Sequence, residues 1–425
     1  MSAVFLIFLL LPAGAGVCAV ARCQLAEGLA VAMLGLVAAG YLLALAGLLP
    51  LLGLLPWAAA LAGVTLVERR RSDNPAFFRG LWQGAAAFVL LALFYWWLCR
   101  GHSLADWDDF SHWGRAAKWM FTTDTLYTVP GCDDGYKSYP PATALWQVML
   151  LQAGRWVWRG FREDILLYAN ALLTAALLLV PLRAGRGLPA IPAAALLGVT
   201  PLLVYPTYFA RASVDGLIGV FCAVLLLSAF LPGRSAARSL PFLAWPAAFC
   251  LMVGLAAGLC LLFPLGPSAD KIRYAPQEAA ASGADRVLSR HAADRIRALG
   301  ETAPRLWLIT ANDGGAAELR IRYDLLPLQL PAHAVILMAD VPEGLIWARE
   351  ISPEDWSREL AESYDYVYIY CPEDQFVADY LSVFEPGSQS EVVNDRMFRV
   401  IRQGDGSAKL RCIDGVAAQP MKNAE

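Results

Sequence analysis

The chain has 425 residues, of which 58% are hydrophobic and only 17% are charged, and its formal net charge is −3. Soluble domains usually carry about a quarter charged residues, so this composition excludes an ordinary soluble enzyme and a disordered protein. The nearly neutral charge excludes a nucleic-acid partner, because polyanions are bound by strongly basic surfaces. Charged residues are sparse before residue 266 and ordinary in number after it. The composition therefore predicts a lipid-embedded domain over 1–265 and a water-exposed domain over 266–425.

Long apolar segments recur through the first domain at the length that a bilayer crossing requires. A hydrocarbon core about 30 Å thick needs roughly 20 apolar residues per helix, because lipid offers the backbone no hydrogen-bond partner. This criterion predicts about eight membrane-spanning helices. They cover 1–20, 28–48, 51–67, 80–99, 164–184, 187–207, 214–232 and 240–264. The predicted fold class is thus a polytopic α-helical membrane protein, with the lipid bilayer as one partner.

Basic residues between these segments indicate their orientation. In an eight-span arrangement the basic loops all fall on one side, which the positive-inside rule assigns to the cytoplasm. These loops contain Arg22, Arg69 to Arg71 with Arg79, Arg183 with Arg186, and Arg234 with Arg238. We therefore expect a multi-pass protein of the cell membrane, with the long loop 100–163 and the C-terminal domain 266–425 outside the cytoplasm.

The C-terminal domain has the pattern of a small α/β fold. Strands are predicted at 305–310, 334–338, 364–370 and 391–402, and helices at 276–299 and 373–384. A further helix is predicted to begin at Ser352, because Ser caps a helix, Pro353 suits its first turn, and the acids Glu354 and Asp355 oppose its dipole.

The residues that suggest chemistry lie in the loop 100–163. Asp108, His112, Arg115 and Trp119 share one face if this segment is helical. A carboxylate, an imidazole and a guanidinium would then project together just above the membrane. The tryptophans over 107–158 predict interfacial helices, because indole rings favour the lipid–water boundary. Alternatively, the acids merely begin such a helix, and His112 and Arg115 are solvated.

This loop resembles part of a known enzyme superfamily. The sequence DWDDFSHW over 106–113, followed by Tyr139-Pro140-Pro141 at the start of another helix, resembles the first outer loop of GT-C superfamily glycosyltransferases. Those multi-span enzymes, which include protein mannosyltransferases and aminoarabinose transferases, take sugars from polyprenyl-phosphate carriers. The resemblance covers roughly 95–150, with a weaker match over 200–220. Fewer predicted spans follow the second outer loop than in the superfamily, which implies a shortened member.

The resemblance also implies roles for particular residues. The catalytic aspartate of the superfamily falls on Asp108 and its acidic partner on Asp109, which is also the candidate contact for Mg²⁺ or Mn²⁺. No other cofactor is expected. A carboxylate can accept the proton of the acceptor hydroxyl, and cations can balance the departing phosphate. The candidate donor and phosphate contacts are His112, Arg115, Lys137, Tyr139, Arg211 and Asp215.

The predicted function is transfer of a sugar from a polyprenyl phosphate to a glycan, lipid or protein acceptor on the outer face of a bacterial cell envelope. The alternative is a non-enzymatic, membrane-anchored protein that binds glycans or assembles the envelope through its C-terminal domain. A transporter is less favoured, because the predicted spans contain almost no ionisable residues. Convergence of Asp108, Arg211 and Asp215 would favour the enzyme.

Overall fold

A computed structural model gives two units, Met1–Ala280 and Ala281–Glu425. The predicted domain boundary near residue 265 lies outside the described residues. The structure describes residues 4–73, 75–132, 137–181, 197–202, 208–212, 214–230, 285–301, 303–310, 316–330, 336–338, 348–372 and 374–414.

The first unit consists of helices. They are α1 (Phe5–Ala21), α2 (Leu25–Leu45), α3 (Leu54–Asp73), α4 (Pro75–Cys99), α5 (Gly114–Thr123), α6 (Ala142–Ala153), α7 (Glu163–Leu179) and α8 (Asp215–Phe230). A π-helical turn, Asp109–Trp113, leads directly into α5, and 3-10 turns lie at Leu49–Leu51 and Tyr208–Ala210. Residues 197–202 are also helical.

Helix α7 forms the centre of this unit. Every side chain from Asp164 to Leu179 is buried, and the helix contacts α2, α4, α6 and α8. A helix that is apolar on all sides packs favourably inside a protein as well as in lipid. The apolar run predicted as a membrane span over 164–184 is therefore a core helix in this structure.

The predicted eight-span architecture is wrong. Within the described ranges, one helix, α2, is both long and apolar enough to cross a membrane. Helices α1 and α7 have 17 residues each, and charged residues occupy the last turns of α3. A hydropathy criterion does not distinguish a helix that faces lipid from one that faces protein. Of the remaining predicted spans, 240–264 lies outside the described residues, and 187–207 is described only at 197–202.

Three of the six tryptophans of the loop 100–163, Trp119, Trp146 and Trp158, are buried in the core, which corrects the prediction of interfacial helices. Helix α6 is buried along its length from Thr143 to Ala153. The Trp146 indole N–H donates to the Ala169 carbonyl oxygen at 2.7 Å, and the Trp158 N–H donates to that of Leu151 at 3.1 Å. Trp156, by contrast, is 71% exposed. Indole rings with a protein acceptor for their N–H pack inside a fold as readily as at a lipid boundary.

Glycines allow α1 to pack closely against α2 and α3. A Cβ atom at Gly63 would lie 2.0 Å from the carbonyl oxygen of Pro12, and one at Gly28 would lie 2.3 Å from Sγ of Cys18. The first of these contacts is with backbone, which cannot move aside as a flexible side chain can. The approach of α3 to α1 therefore requires glycine at position 63.

We expect Gly63→Ala to lower the midpoint of thermal unfolding of the purified chain, because α1 and α3 must separate to admit the methyl group. Overpacking of this kind costs about 1–3 kcal/mol. Gly35→Ala is the matched control, since a Cβ at Gly35 meets nothing within 4 Å and alanine favours the helix by roughly 1 kcal/mol. Equal midpoints for the two variants would contradict this account of the packing.

The second unit contains a mixed sheet of four strands in the order β1-β4-β5-β6. Its strands are β1 (Leu306–Ile309), β4 (Tyr366–Ile369), β5 (Arg396–Arg402) and β6 (Ala408–Cys412). Strands β1 and β4 are parallel, whereas β4 with β5 and β5 with β6 are antiparallel. Two further parallel strands, β2 (Ile336–Met338) and β3 (Ala348–Glu350), pair separately.

Helices cover both faces of this sheet. They are α9 (285–297), α10 (Ala316–Leu325), α11 (Pro353–Ser363) and α12 (Asp374–Tyr380), followed by 3-10 turns at Leu381–Val383 and Pro386–Glu391. Because side chains alternate along a strand, Trp307 and Ile309 of β1 pack with Trp356 of α11, while Leu306 and Leu308 belong to the opposite core. The predicted cap of α11 is confirmed, since Ser352 Oγ accepts the Asp355 N–H at 3.1 Å.

Candidate functional site

The π-helical turn Asp109–Trp113 organises the acidic segment of the loop. Asp106 precedes it and accepts the backbone N–H of Asp108 through Oδ1 at 3.1 Å. Within the turn, Ser111 Oγ donates to the carbonyl oxygen of Asp108 at 3.3 Å. Single π-helical turns are rare and occur often at functional sites, because the extra residue redirects the side chains around it.

A second segment, 208–212, contacts this turn although it lies much later in the sequence. The Ala212 N–H donates to Asp109 Oδ1 at 2.8 Å, across 103 residues of sequence. Arg211 forms an ion pair with Asp106, with 2.7 Å between Nη2 and Oδ2. The Tyr208 hydroxyl lies 2.7 Å from Thr174 Oγ1 in α7, which fixes the other end of the segment. The turn and the segment 208–212 thus form one site.

Asp109 holds these two parts together. Its carboxylate is fully buried, and Oδ2 accepts the Asp106 N–H at 3.4 Å while Oδ1 accepts from Ala212. Burial raises the pKa of Asp109 from its ordinary 3.8 to about 7, although the hydrogen bond from Ala212 opposes the shift. Asp109 is therefore a positioning residue in this geometry.

The predicted metal contact of Asp109 does not fit this geometry. Mg²⁺ keeps several waters among its ligands, and Mn²⁺ favours similar oxygen ligands. The Asp109 oxygens are sealed from solvent and already accept two backbone N–H groups. Among the described residues, no group of three or more His, Cys, Asp or Glu side chains is arranged to hold a metal ion.

Asp109 should make stability depend on pH. Between about pH 4 and pH 7 the folded chain keeps a proton on Asp109 that the unfolded chain has lost, so stability falls as pH rises through this window. The difference from 3.8 to about 7 corresponds to on the order of 4 kcal/mol. Asp109→Asn should remove this dependence, because the amide stays neutral and its oxygen still accepts from Ala212.

The measurement is the midpoint of thermal unfolding at pH 4.5 and at pH 8 for the wild-type chain and for Asp109→Asn. The variant should lose less stability than the wild type on going from the lower to the higher pH. Parallel losses in the two proteins would show that Asp109 ionises normally.

His112 lies in the turn and is 7% exposed. Its Nδ1 is 2.7 Å from Ser111 Oγ. Burial lowers the pKa of His112 below its ordinary 6.5, although the carboxylates of Asp108, Asp215 and Asp106 oppose this shift. The imidazole is therefore neutral at pH 7 and lies within electrostatic reach of all three acids.

An aromatic cleft adjoins His112. The rings of Trp113 and Tyr139 stack with centroids 5.4 Å apart, and Tyr139 meets His112 edge-on at 5.2 Å. The Tyr127 hydroxyl donates to the carbonyl oxygen of Tyr139 and so fixes the Tyr-Pro-Pro turn. The cleft has a volume of only about 10 Å³, which is room for roughly one water molecule.

The other predicted site residues differ in how far they are buried and in which way they face. Asp108 is half-buried beside His112, and Asp215 is exposed at the first position of α8. Arg115 is only 5% exposed and lies on the buried side of α5, so it does not project outward as predicted. Lys137 is half-buried before Tyr139, and no described contact links its side chain to the turn.

The sequence did not reveal several contributors to the site. Asp106 pairs with Arg211, Ser111 contacts His112, and Ala212 contributes its backbone N–H. In the sequence, Asp106 is one of several neighbouring acids, and nothing distinguishes it from the others. The backbone N–H of Ala212 cannot be recognised as a donor from the pattern of side chains. The sequence also gives no reason to place 208–212 beside 106–113.

The convergence of Asp106, Asp109, Arg211 and Ala212 distinguishes this site from a solvated helix start. The resemblance to GT-C glycosyltransferases rests on the residues of this loop. No protein-family model matches the chain, and no significant match was found among curated proteins or solved structures, which leaves the geometry of the site as the basis for assigning a function.

Proposed function

We propose that the chain is a membrane-attached glycosyltransferase, which moves a sugar from a polyprenyl-phosphate donor to a hydroxyl group of a glycan, lipid or protein acceptor. One observation carries this proposal. Beside the carboxyl groups of Asp106 and Asp109, the neutral imidazole of His112 and the guanidinium of Arg211 come together from two distant segments of the chain. These are the groups that accept a proton and compensate a departing phosphate.

His112 is the base in this proposal. Ser111 Oγ lies 3.3 Å from the Asp108 carbonyl oxygen and 2.7 Å from His112 Nδ1, and we assign its proton to the first contact and the imidazole proton to Nδ1. This assignment of hydrogens places the lone pair of the imidazole on Nε2. The acceptor hydroxyl gives its proton to Nε2 while its oxygen bonds to the anomeric carbon and the bond from that carbon to the phosphate oxygen breaks. Asp108 and Asp215 stabilise the imidazolium that results.

Arg211 compensates the phosphate that leaves. Its side chain is 34% exposed, and Asp106 holds it at the site. A guanidinium presents several donors in a fixed plane and binds phosphate oxygens in pairs. Arg115 is the poorer candidate, because a side chain that is 5% exposed does not reach a lipid phosphate without rearrangement.

The aromatic cleft positions the sugar. It is too small to admit a pyranose ring, so the sugar packs against the outer face of Tyr139, which is 38% exposed. Aromatic rings provide a flat apolar surface for the C–H face of a sugar.

The apolar surface of the first unit supports the proposed membrane attachment. Helix α2 is long enough to cross a bilayer, and α1 to α3 expose large apolar side chains. These include Phe8, Leu42, Leu45, Leu54 and Leu61. Exposed apolar patches of this extent mark contacts with lipid or with another protein. In this proposal the site faces the outer side of the cell membrane, where a polyprenyl chain dissolves in the same bilayer.

The test is transfer of radiolabelled sugar from defined polyprenyl-phosphate donors by membranes that contain the full chain. Wild-type membranes should transfer label above membranes that lack the chain, and Arg211→Met should reduce this transfer. Arg358→Met is the control, because Arg358 is 62% exposed and forms an exposed ion pair with its helical neighbour Asp355. Absence of transfer from every donor would refute the proposal and favour the non-enzymatic, glycan-binding alternative.

A further inference from the structure

The turn between α1 and α2 holds two thiols beside one another. Cys18 lies in the last turn of α1, and Cys23 follows Arg22, the residue at which this helix ends. Their Sγ atoms are 3.8 Å apart, and both are free thiols. An S–S bond is about 2 Å long, so the two sulfurs lie within roughly 2 Å of bonding distance. The proposed transferase site makes no use of this pair.

The left-handed backbone of Arg22 brings the two thiols together. Arg22 has φ of 55°, and its N–H donates to the Cys18 carbonyl oxygen at 2.9 Å, so the chain leaves the helical path directly after α1. On a continuing helix, residues five positions apart would not face one another, because neighbouring side chains are three or four positions apart. Cys23 therefore lies beside Cys18 because the helix ends between them.

The two thiols differ in exposure. Cys18 is fully buried, and its Sγ packs against Gly28 of α2, where a Cβ atom would lie 2.3 Å from this sulfur. Cys23 is half-buried in the turn. A reagent dissolved in water therefore reaches Cys23 first, whereas Cys18 can react through its contact with Cys23.

Cys23 also ionises more readily than an ordinary cysteine. Its hydrogen bond with Cys18 lowers the pKa of Cys23 below its ordinary 9.0, although burial and the carboxylate of Glu27 oppose this shift. The thiolate, not the thiol, attacks a disulfide. Redox-sensitive cysteines typically combine a lowered pKa and access to solvent with a second thiol close by, and Cys23 has all three properties.

We propose that Cys18 and Cys23 are a redox-active pair, which reacts reversibly with small disulfides such as oxidised glutathione. The Cys23 thiolate attacks one sulfur of the external disulfide, whose S–S bond breaks and releases one thiolate. The Cys18 sulfur, once deprotonated, attacks Cys23 Sγ and releases the second thiolate. The two protein thiols are thereby oxidised to a disulfide, and the two released thiolates take up the protons that Cys18 and Cys23 have lost.

The disulfide closes a ring that runs from Cys18 to Cys23 across the turn. Cys18 Sγ is confined between α1 and α2, so Cys23 makes the necessary approach, because it lies in the turn. Oxidation then fixes the path of the chain between the two helices, and reduction releases it. This inference is independent of the proposed transferase, since neither thiol belongs to that site.

The test uses the purified full chain, which is equilibrated with reduced and oxidised glutathione in defined ratios, alkylated, denatured and digested with trypsin. Trypsin cleaves after Arg22, between the two cysteines, so a Cys18–Cys23 disulfide leaves the two flanking peptides linked in the mass spectrum. The linked species should increase with the fraction of oxidised glutathione and disappear when the reduced form is restored. Iodoacetamide should alkylate Cys23 faster than Cys412, whose pKa is raised by burial.

Two variants check the order of the steps. Cys18→Ala should retain glutathione on Cys23 as a mixed disulfide, because the thiol that would release it is gone. Cys23→Ser should prevent the linkage and leave Cys18 reduced. Cys412→Ser is the matched control, since Cys412 is also half-buried, and it should form the linked peptides as the wild type does. The proposal is overturned if no glutathione ratio links the peptides, if Cys412 is alkylated faster than Cys23, or if Cys18→Ala carries no glutathione on Cys23.

Discussion

His112→Asn should reduce kcat for sugar transfer by about 10²- to 10⁴-fold, the usual range for loss of a general base. The asparagine amide nitrogen can take the place of Nδ1 beside Ser111 Oγ, so the turn keeps its internal hydrogen bond. What the variant lacks is Nε2, which in the proposed reaction accepts the proton of the acceptor hydroxyl. KM for the donor should change little, because in the proposed complex the phosphate contacts Arg211 and the sugar contacts Tyr139.

The pH dependence of kcat/KM distinguishes a catalytic base from a residue that only supports the structure. Burial holds the pKa of His112 below 6.5, so the imidazole is neutral at pH 7 and gains a proton as pH falls through that lower pKa. Wild-type kcat/KM should therefore decline on the acid side, and His112→Asn should lose that decline. A variant with reduced kcat but an unchanged acid limb would show that His112 only supports the structure of the turn.

Arg286→Met should lower the free energy of unfolding of the C-terminal unit by about 3–5 kcal/mol, because it leaves Asp324 as an unpaired buried carboxylate. The side chains of Arg286 and Asp324 are 2% and 7% exposed, and their two bonds measure 2.7 and 3.0 Å. Ser289 Oγ adds a third bond to Asp324 at 3.0 Å. The pair joins α9 to α10, so its loss separates two helices.

Urea unfolding of the full chain measures this effect. The double variant Arg286→Met with Asp324→Leu should be more stable than Arg286→Met alone, because it removes the buried carboxylate that the single variant leaves without its ion-pair partner. Arg358→Met, which breaks an exposed pair, should change stability by less than about 1 kcal/mol. Equal stabilities for the single and double variants would mean that Asp324 finds another partner or becomes protonated at no cost.

Structural features that depend on a few neighbouring residues could be predicted from the sequence. Ser352 with Pro353 marked the start of α11, and the alternating run at 305–310 contains β1. Strand β6 was not predicted, because five residues with Lys409 and Arg411 on the outer face give a weak signal. Helix α10 was also missed, since its mixture of charged and apolar residues lacks a clear stripe.

An apolar run in the sequence does not show whether lipid or protein surrounds it in the fold. The run that forms α7 has the composition of a membrane helix, yet its surroundings are α2, α4, α6 and α8. Within the site, the closeness of Asp108 to His112 followed from their spacing, whereas the ion pair of Arg211 with Asp106 depends on tertiary packing. Arg115 was assigned to the wrong side because the π-helical turn changes the phase of the helix just before it.

The hydrogen bond from Ala212 to Asp109 has a consequence for the order in which the protein matures. A ribosome must synthesise 103 further residues before this donor exists, so the acidic turn stays incomplete while α6 and α7 are being made. Loop closure over such a distance is slow compared with forming the helices themselves. The site therefore assembles only after α7 has been synthesised, and a chain that ends before Tyr208 lacks the contacts of Arg211 and Ala212 with Asp106 and Asp109.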